Sequence, residues 1–132
     1  MLYFCQSLEE IVNFDKILSG SNNIIFDSFI YNAIKYSSPI VINSTISQLA
    51  IYGSASFKMF NLTSIRINSS STFSGYTPQI IISYTGLDAN ALNLLFGDLP
   101  VLSGKTIKIT GCIGAETCDK SIATSKCWTV IV

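Results

Sequence analysis

Short alternating apolar segments recur along the chain and define most of its predicted elements. The pattern apolar-x-x-apolar-x-apolar-x-x-small spans residues 46–54 and returns, position for position, over residues 62–70, which begin 16 residues later. A weaker copy over residues 77–85 begins 15 residues after the second. The central apolar-x-apolar step, rich in Ile, is typical of a short β-strand with one buried face. Each copy therefore predicts one strand.

Further copies of the central step extend the pattern toward both ends of the chain. They are Ile24-x-Phe26, Ile40-x-Ile42, Ile107-x-Ile109 and Trp128-x-Val130. The main strands are expected near residues 49–52, 64–67, 79–83, 106–110 and 128–131. The connections are too long for tight hairpins and long enough to cross back, so we expect parallel pairing in sequence order. One strand per repeat, stacked on the next, is the principle of a solenoid.

A second periodicity predicts helices. Asp88 is a good N-cap for a helix over residues 89–96, where apolar side chains fall on one face. Gly97 is expected to end this helix in a left-handed conformation, and Pro100 prevents its continuation.

Two shorter helical patterns lie nearer the ends of the chain. Residues 7–18 carry apolar side chains at helical spacing, and Ser7 and Glu10 have the spacing of a capping box. This segment is expected to be either a first helix or a degenerate first repeat. Residues 120–126 predict a short helix capped by Asp119.

The strand alternation also separates a predicted core from a predicted outer face. The core is expected to contain Leu49, Ile51, Ile65, Ile67, Ile80, Ile82, Leu92, Leu95, Phe96, Ile107, Ile109 and Trp128. The outward row is expected to contain Gln48, Ala50, Tyr52, Ser64, Arg66, Asn68, Gln79, Ile81, Ser83, Thr106, Lys108 and Thr110.

Composition narrows the classes of function. Eight basic residues balance eight acidic ones, and charged residues make up 12% of the chain against roughly 25% in ordinary soluble proteins. No basic patch for nucleic acid, no run of apolar residues for a membrane span and no secretory signal is visible. The low charge favours a chain that lives in an assembly, because free monomers usually carry net charge. The alternative is an ordinary soluble protein with a Ser/Thr/Asn-covered surface.

The sequence offers little catalytic chemistry. There is no His to serve as a general base, and Asp88 and Asp119 are explained as helix caps. The four cysteines are Cys5, Cys112, Cys118 and Cys127. Their spacing does not match a zinc site, so we expect free, metal-free thiols that act mostly as small apolar side chains. No enzyme activity and no cofactor are predicted.

The last third of the chain, residues 87–132, carries an ordered set of motifs. A helix ending in Leu-Pro, a strand, Gly-Ala-x-x-Cys-Asp and Ser-Ile-Ala-Thr follow one another. In this order they resemble a C-terminal unit of leucine-rich-repeat-like proteins from tailed phages and some bacterial surface proteins. Two positions depart from that pattern: Cys112 stands where Asn is expected, and Cys127 stands where Gly usually precedes the aromatic residue. The resemblance implies a unit that closes the apolar end of a solenoid.

Together these features predict one α/β domain over residues 1–132, a short leucine-rich-repeat-like solenoid of mostly parallel strands with a few helices. Residues 1–86 would supply irregular strand repeats and residues 87–132 the capping unit. The resemblance implies a non-enzymatic virion structural protein, assembled in the bacterial cytoplasm, that decorates the capsid or belongs to a head fibre or tail. The alternative is a bacterial cell-surface adhesin module of leucine-rich-repeat type.

The expected partners are other virion proteins, with a host cell-surface receptor left open, and the chain is expected in multiple copies. Neither nucleic acid nor membrane insertion is predicted. Tyr52 and Arg66 are the preferred contact anchors, since aromatic residues and Arg carry much of the energy of protein interfaces. The remaining contact candidates are Gln48, Asn68, Gln79, Ile81 and Lys108. A merely solvated strand face is the alternative for this row.

Overall fold

The computed structural model is a mixed α/β arrangement of parallel strands and a few helices. It describes residues 2–3, 30–31, 37, 39–43, 45–46, 48–56, 58–73 and 79–132. The strands are β1 (Leu2–Tyr3), β2 (Ile30–Tyr31), β3 (Ile40–Ile42), β4 (Thr45–Ile46), β5 (Leu49–Tyr52), β6 (Ile65–Ile67), β7 (Thr72–Phe73), β8 (Gln79–Ser83), β9 (Lys105–Lys108) and β10 (Trp128–Ile131). The helices are α1 (Ala89–Asp98) and α2 (Ser121–Thr124). Among these residues no helix has the length and apolarity to span a bilayer.

The largest sheet contains β5, β8, β9 and β10 in that order, and all its strands are parallel. Its register places Leu49 beside Ile80, Ile80 beside Ile107, and Ile107 beside Val130. One continuous apolar row therefore crosses the sheet. Smaller parallel pairs join β1 with β2, β3 with β6, and β4 with β7. The sheets formed by the described residues are open and do not close into a barrel.

The strand predicted near residues 64–67 exists as β6, but its predicted place between β5 and β8 is wrong. β6 pairs with β3, which sets Ile40 beside Ile65 and Ile42 beside Ile67, whereas β5 pairs directly with β8. Successive sequence copies therefore alternate between two sheets. The apolar-x-apolar pattern specifies a strand and its buried face, but similar Ile-rich faces do not distinguish one partner from another.

The predicted core is confirmed. All twelve side chains assigned to it are buried, each with at most 3% of its surface exposed. Met59 and Leu87 join the same cluster although no repeat position marks them, and Leu62 joins it from the first position of the second repeat copy. The inward faces of the sheets and the apolar face of α1 thus share one hydrophobic core.

Helix α1 begins where the sequence predicts and ends later than predicted. The carboxylate of Asp88 accepts a hydrogen bond from the backbone N–H of Ala91 at 2.8 Å, which confirms the cap. The helix continues through Gly97 to Asp98, so the predicted left-handed stop at Gly97 is wrong. Leu99 ends it in an extended conformation, because a residue before proline is driven out of the helical region.

Helix α2 is shorter than the predicted segment 120–126. The N-cap is Lys120, so the predicted cap at Asp119 is wrong by one position. The Asp119 carboxylate accepts hydrogen bonds from the backbone N–H and the hydroxyl of Ser121 at the helix start. The helix predicted over residues 7–18 and the strand predicted over residues 24–26 lie outside the described residues.

The turn before β10 places Cys127 in a left-handed conformation, with φ at +68°. Its neighbour Trp128 is buried, and the indole N–H donates to the carbonyl of Pro100 at 2.8 Å. Position 127 thus has the backbone geometry that favours glycine, the residue expected there from the resemblance.

Replacing Cys127 by glycine should raise the free energy of unfolding by about 1 kcal/mol, because the left-handed conformation costs an ordinary residue roughly 1–2 kcal/mol and glycine recovers most of it. Denaturant unfolding of the Cys127→Gly variant would measure this. Cys127→Ala is the control, since it removes the thiol but keeps the strained backbone. An equal gain in both variants would show that the thiol, and not the backbone, is responsible.

Candidate functional site

A groove crosses the outer face of the large sheet, on the side away from the core. Its volume is about 350 Å³. The described residues that line it come from or adjoin β5, β8 and β9, and they are Gln48, Ala50, Gly53, Ile81, Ser83, Tyr84 and Lys108. The parallel register produces the groove, because Ala50 pairs with Ile81 and Ile81 with Lys108 across neighbouring strands.

Three of the seven predicted contact residues meet in this groove. Gln48 and Ile81 are half-buried, and Lys108 is exposed. These three residues are up to 60 positions apart in the sequence, and the register of the strands brings them together. The outward row therefore forms a concave site at its centre.

Two other members of the outward row are buried, contrary to the prediction. Ala50 is 3% exposed and Ser83 is 7% exposed. Both side chains are short and line the groove. No hydrogen bond involves the Ser83 hydroxyl in the part of the chain that the structure describes.

Sequence reasoning missed Tyr84 as a member of this site. Tyr84 has a φ of +54°, an unusual conformation for a bulky residue, and it immediately follows β8. Its ring lies so close to Gly111 that a Cβ atom there would come within 2.6 Å of the ring. Gly111 itself has a φ of +72°. The one signal in the sequence was a glycine three residues after the end of β9, and a glycine does not identify its aromatic partner.

Arg66, one of the two preferred anchors, is engaged inside the chain. Its guanidinium donates two hydrogen bonds to the Asp98 carboxylate, at 2.6 and 2.7 Å. The same carboxylate accepts the backbone N–H of Ile67 at 3.0 Å. The pair ties the end of α1 to strand β6. Arg66 therefore stabilises the contact between β6 and α1, although 42% of its side chain remains exposed.

The electrostatics of this pair follow from its geometry. Burial raises the pKa of Asp98, but the hydrogen bonds from Arg66 and Ile67, with the nearby charges of Arg66 and Lys126, outweigh burial. The pKa of Asp98 therefore lies below its usual range. The hydrogen bond and charge of Asp98 correspondingly raise the pKa of Arg66.

Of the remaining contact candidates, Asn68 does not line the groove. Asn68 is exposed and its side-chain oxygen accepts the backbone N–H of Ser70 at 3.0 Å, so it shapes a turn. Tyr52 and Gln79 lie in β5 and β8, and their side chains are outside the described part of the structure. Their roles in contact stay predictions.

Of the three described thiols, Cys112 and Cys118 are packed in the interior and Cys127 is exposed. Cys112, Cys118 and Cys127 are free, and Cys5 lies outside the described residues. Burial raises the pKa of the Cys112 thiol, which lies between the Thr85 hydroxyl at 3.2 Å and the carbonyl of Ile82 at 3.3 Å. Burial also raises the pKa of Cys118. Across the described residues, no cluster of three or more His, Cys, Asp or Glu side chains is placed to hold a metal ion.

Replacing Asp98 by asparagine should destabilise the protein by about 1 kcal/mol near neutral pH, because it removes the charge from a bidentate pair in which Asp98 is largely buried but Arg66 is 42% exposed and partly screened by solvent. The folded-state pKa of Asp98 is depressed, so its stabilising contribution is complete above the unfolded value and is lost as pH falls through the folded one. Urea unfolding at about pH 7 and about pH 3 should therefore show the difference shrinking in acid. Asp88→Asn at the other end of α1 is the control, because asparagine is an equally good N-cap. A difference that does not change with pH would contradict this assignment.

Alkylation of the native protein should modify Cys127 well before Cys112 and Cys118. Cys127 is exposed, whereas the other two thiols are buried and held protonated by burial. Brief treatment with iodoacetamide followed by peptide mass mapping would report each site, with a urea-unfolded sample as the reference for complete labelling. Equal native labelling of Cys112 and Cys127 would contradict the described burial.

Comparison with protein-family models, with curated protein sequences and with solved structures finds no match to this chain. The likeness of residues 87–132 to a phage C-terminal unit therefore rests on the sequence motifs alone. The function is argued below from the geometry of the groove and the pairing of the strands.

Proposed function

We propose that the chain is a short leucine-rich-repeat-like solenoid that acts as a non-enzymatic structural component of a bacteriophage virion. It would work by surface contact with other virion proteins and with the host surface. The observation that carries the contact role is the groove on the outer sheet face, where residues from three neighbouring strands converge.

The strand register supports the solenoid. In every strand pair of the described residues the partners run parallel and lie 23 to 31 positions apart. Backbone hydrogen bonds between the strands' flanking segments keep similar spacing, as from Gly53 to Ser83 at 2.9 Å and from Gly114 to Leu87 at 2.8 Å. A repeating offset of this size is what a chain produces when each turn stacks on the one before.

The composition of the groove favours binding over catalysis. Among its described lining residues, Lys108 and Tyr84 are the titratable side chains. General acid–base chemistry near neutral pH needs a group whose pKa lies near that pH, and His is absent from the sequence. A contact site needs only shape and unpaired polar groups, which the groove provides.

The exposed apolar side chains of residues 87–132 support the proposal that the chain is part of an assembly. Val101 is 71% exposed and Ile113 is 58% exposed. Ile131 is exposed on β10, which pairs with β9 on one side and is an edge strand of the sheet as described. Edge strands with apolar side chains tend to associate, so a low-charge chain with this end suits multiple copies packed among other proteins.

Mass spectrometry of purified phage particles would test the location. The expected result is the chain at several copies per particle, in the same gradient fraction as the capsid or tail proteins. Recovery only from the host cell envelope would overturn the virion assignment and favour the adhesin alternative.

The contact face can be tested by removing two groove side chains together. Gln48→Ala with Lys108→Ala should leave the fold intact and reduce attachment of the particle to its partner, because both residues line the groove. Asn90→Ala with Lys58→Ala is the matched control, since it removes one amide and one ammonium from exposed positions outside it. Weaker attachment in the control alone would place the contact face elsewhere.

A further inference from the structure

The Ser83 hydroxyl gives the groove an unmet hydrogen-bonding requirement. Ser83 lines the groove and is 7% exposed, yet its hydroxyl has no partner among the residues that the structure describes. A buried polar group without a partner destabilises the protein unless water or a ligand supplies the hydrogen bond. A group bound in the groove could therefore form a hydrogen bond with the Ser83 hydroxyl.

Lys108 adds an unpaired positive charge to the same groove. Its ammonium forms no ion pair with any described residue, and no Asp or Glu is found among the described lining residues. A ligand with a negative charge would meet attraction and no opposing carboxylate in this part of the site. The charge of the groove thus favours an anionic group near Lys108.

The rest of the lining combines hydrogen-bonding groups with an apolar surface. The Gln48 amide can both donate and accept, and the Tyr84 hydroxyl can do the same. Ile81 and Ala50 contribute an apolar surface in the register row that ends at Lys108. At about 350 Å³ the groove lies near the lower end of the roughly 300–1,000 Å³ typical of small-molecule sites.

We propose that this groove binds one acidic sugar residue, with its carboxylate at Lys108, its hydroxyls at Gln48 and Ser83, and its apolar ring face against Ile81. The proposal rests on the attachment role given to the groove above and names the chemistry of the partner. A free acidic monosaccharide and the same residue within a surface polysaccharide share the carboxylate and the ring hydroxyls that are not in a glycosidic bond, so either could supply the groups that the site binds.

The number of polar groups distinguishes a sugar from an acidic peptide. Gln48, Ser83 and Tyr84 have no side-chain hydrogen bond to a described residue, and all line the same small volume as Lys108. A glutamate side chain would neutralise Lys108 and leave most of the other groups unpaired, at a cost for each buried one. A sugar carries several hydroxyls around one ring beside its carboxylate, which matches both the number and the closeness of these groups.

Titration of the isotope-labelled full chain, followed by NMR, tests the proposal with three probes. Methyl β-glucuronide should shift the amide signals of β8 and β9 and saturate. Methyl β-glucoside, which lacks the carboxylate, should bind about tenfold more weakly, because it loses the charge-assisted contact. N-acetyl-glutamate N-methylamide should also bind at least about tenfold more weakly than the glucuronide, because it lacks the ring hydroxyls.

Three variants separate the groove from the general charge of the protein. Lys108→Gln should weaken glucuronide binding about tenfold and leave glucoside binding unchanged. Lys105→Gln on the same strand is the matched control and should change neither, because Lys105 does not line the groove. Ser83→Ala should weaken both sugars, and Lys108→Gln, at an exposed position, still decides the matter if Ser83→Ala fails to fold.

Equal binding of glucuronide and glucoside, equal loss in Lys105→Gln and Lys108→Gln, or the absence of saturable shifts with glucuronide would each overturn the acidic-sugar proposal. Stronger binding of the glutamate probe would replace it with a protein partner. These results concern the isolated chain, so they are independent of particle composition. A chain that binds glucuronide but is missing from virions would overturn the proposed function alone.

Discussion

The structure depends on parallel strands that stack in register, so that an apolar side chain on one strand lies directly beside an apolar side chain on the next. Leu49, Ile80, Ile107 and Val130 form one such row across four strands. Because side chains alternate between the two faces of a strand, a shift of one residue would expose this row and bury its polar neighbours. The hydrophobic free energy of the row therefore fixes the register of the whole sheet.

The same register decides where the outer groove forms. Fixing Ile80 beside Ile107 inside the protein necessarily sets Ile81 beside Lys108 outside it. The left-handed conformation of Tyr84 then turns the chain directly after β8, where its ring meets Gly111. The position of the groove is thus a consequence of core packing on the opposite side of the sheet. Changes to the core that shift the register would remove the groove as well.

A second sheet needs its own attachment, because β6 pairs with β3 and not with the strands of the large sheet. The Arg66–Asp98 pair supplies part of it by joining β6 to the end of helix α1. Helix α1 in turn buries Leu92, Leu95 and Phe96 in the common core. Arg66, which the sequence predicts to be a contact anchor, therefore holds two elements together through its ion pair with Asp98. Its bidentate geometry, with a third hydrogen bond from Ile67, makes it more than an incidental surface contact.

Local patterns in the sequence were enough to predict much of the structure. The alternation of Ile and Leu predicted the strands of the large sheet and their buried faces, the length of the connections predicted their parallel direction, and helical spacing predicted the buried face of α1. Burial of one face of a strand or helix is a local requirement, so local patterns were enough. Asp88 predicted the start of α1, since capping involves only neighbouring residues. The sequence also placed Gln48, Ile81 and Lys108 on one outward face. Tertiary structure alone decided which strand lies beside which. As a result β6 pairs with β3 instead of lying between β5 and β8, and Arg66 forms an ion pair with Asp98. Tertiary structure alone also buried Ser83 and brought Tyr84 to the groove. These outcomes depend on contacts between residues far apart in the chain. Strands with similar apolar patterns do not specify in their own sequence which strand each will pair with.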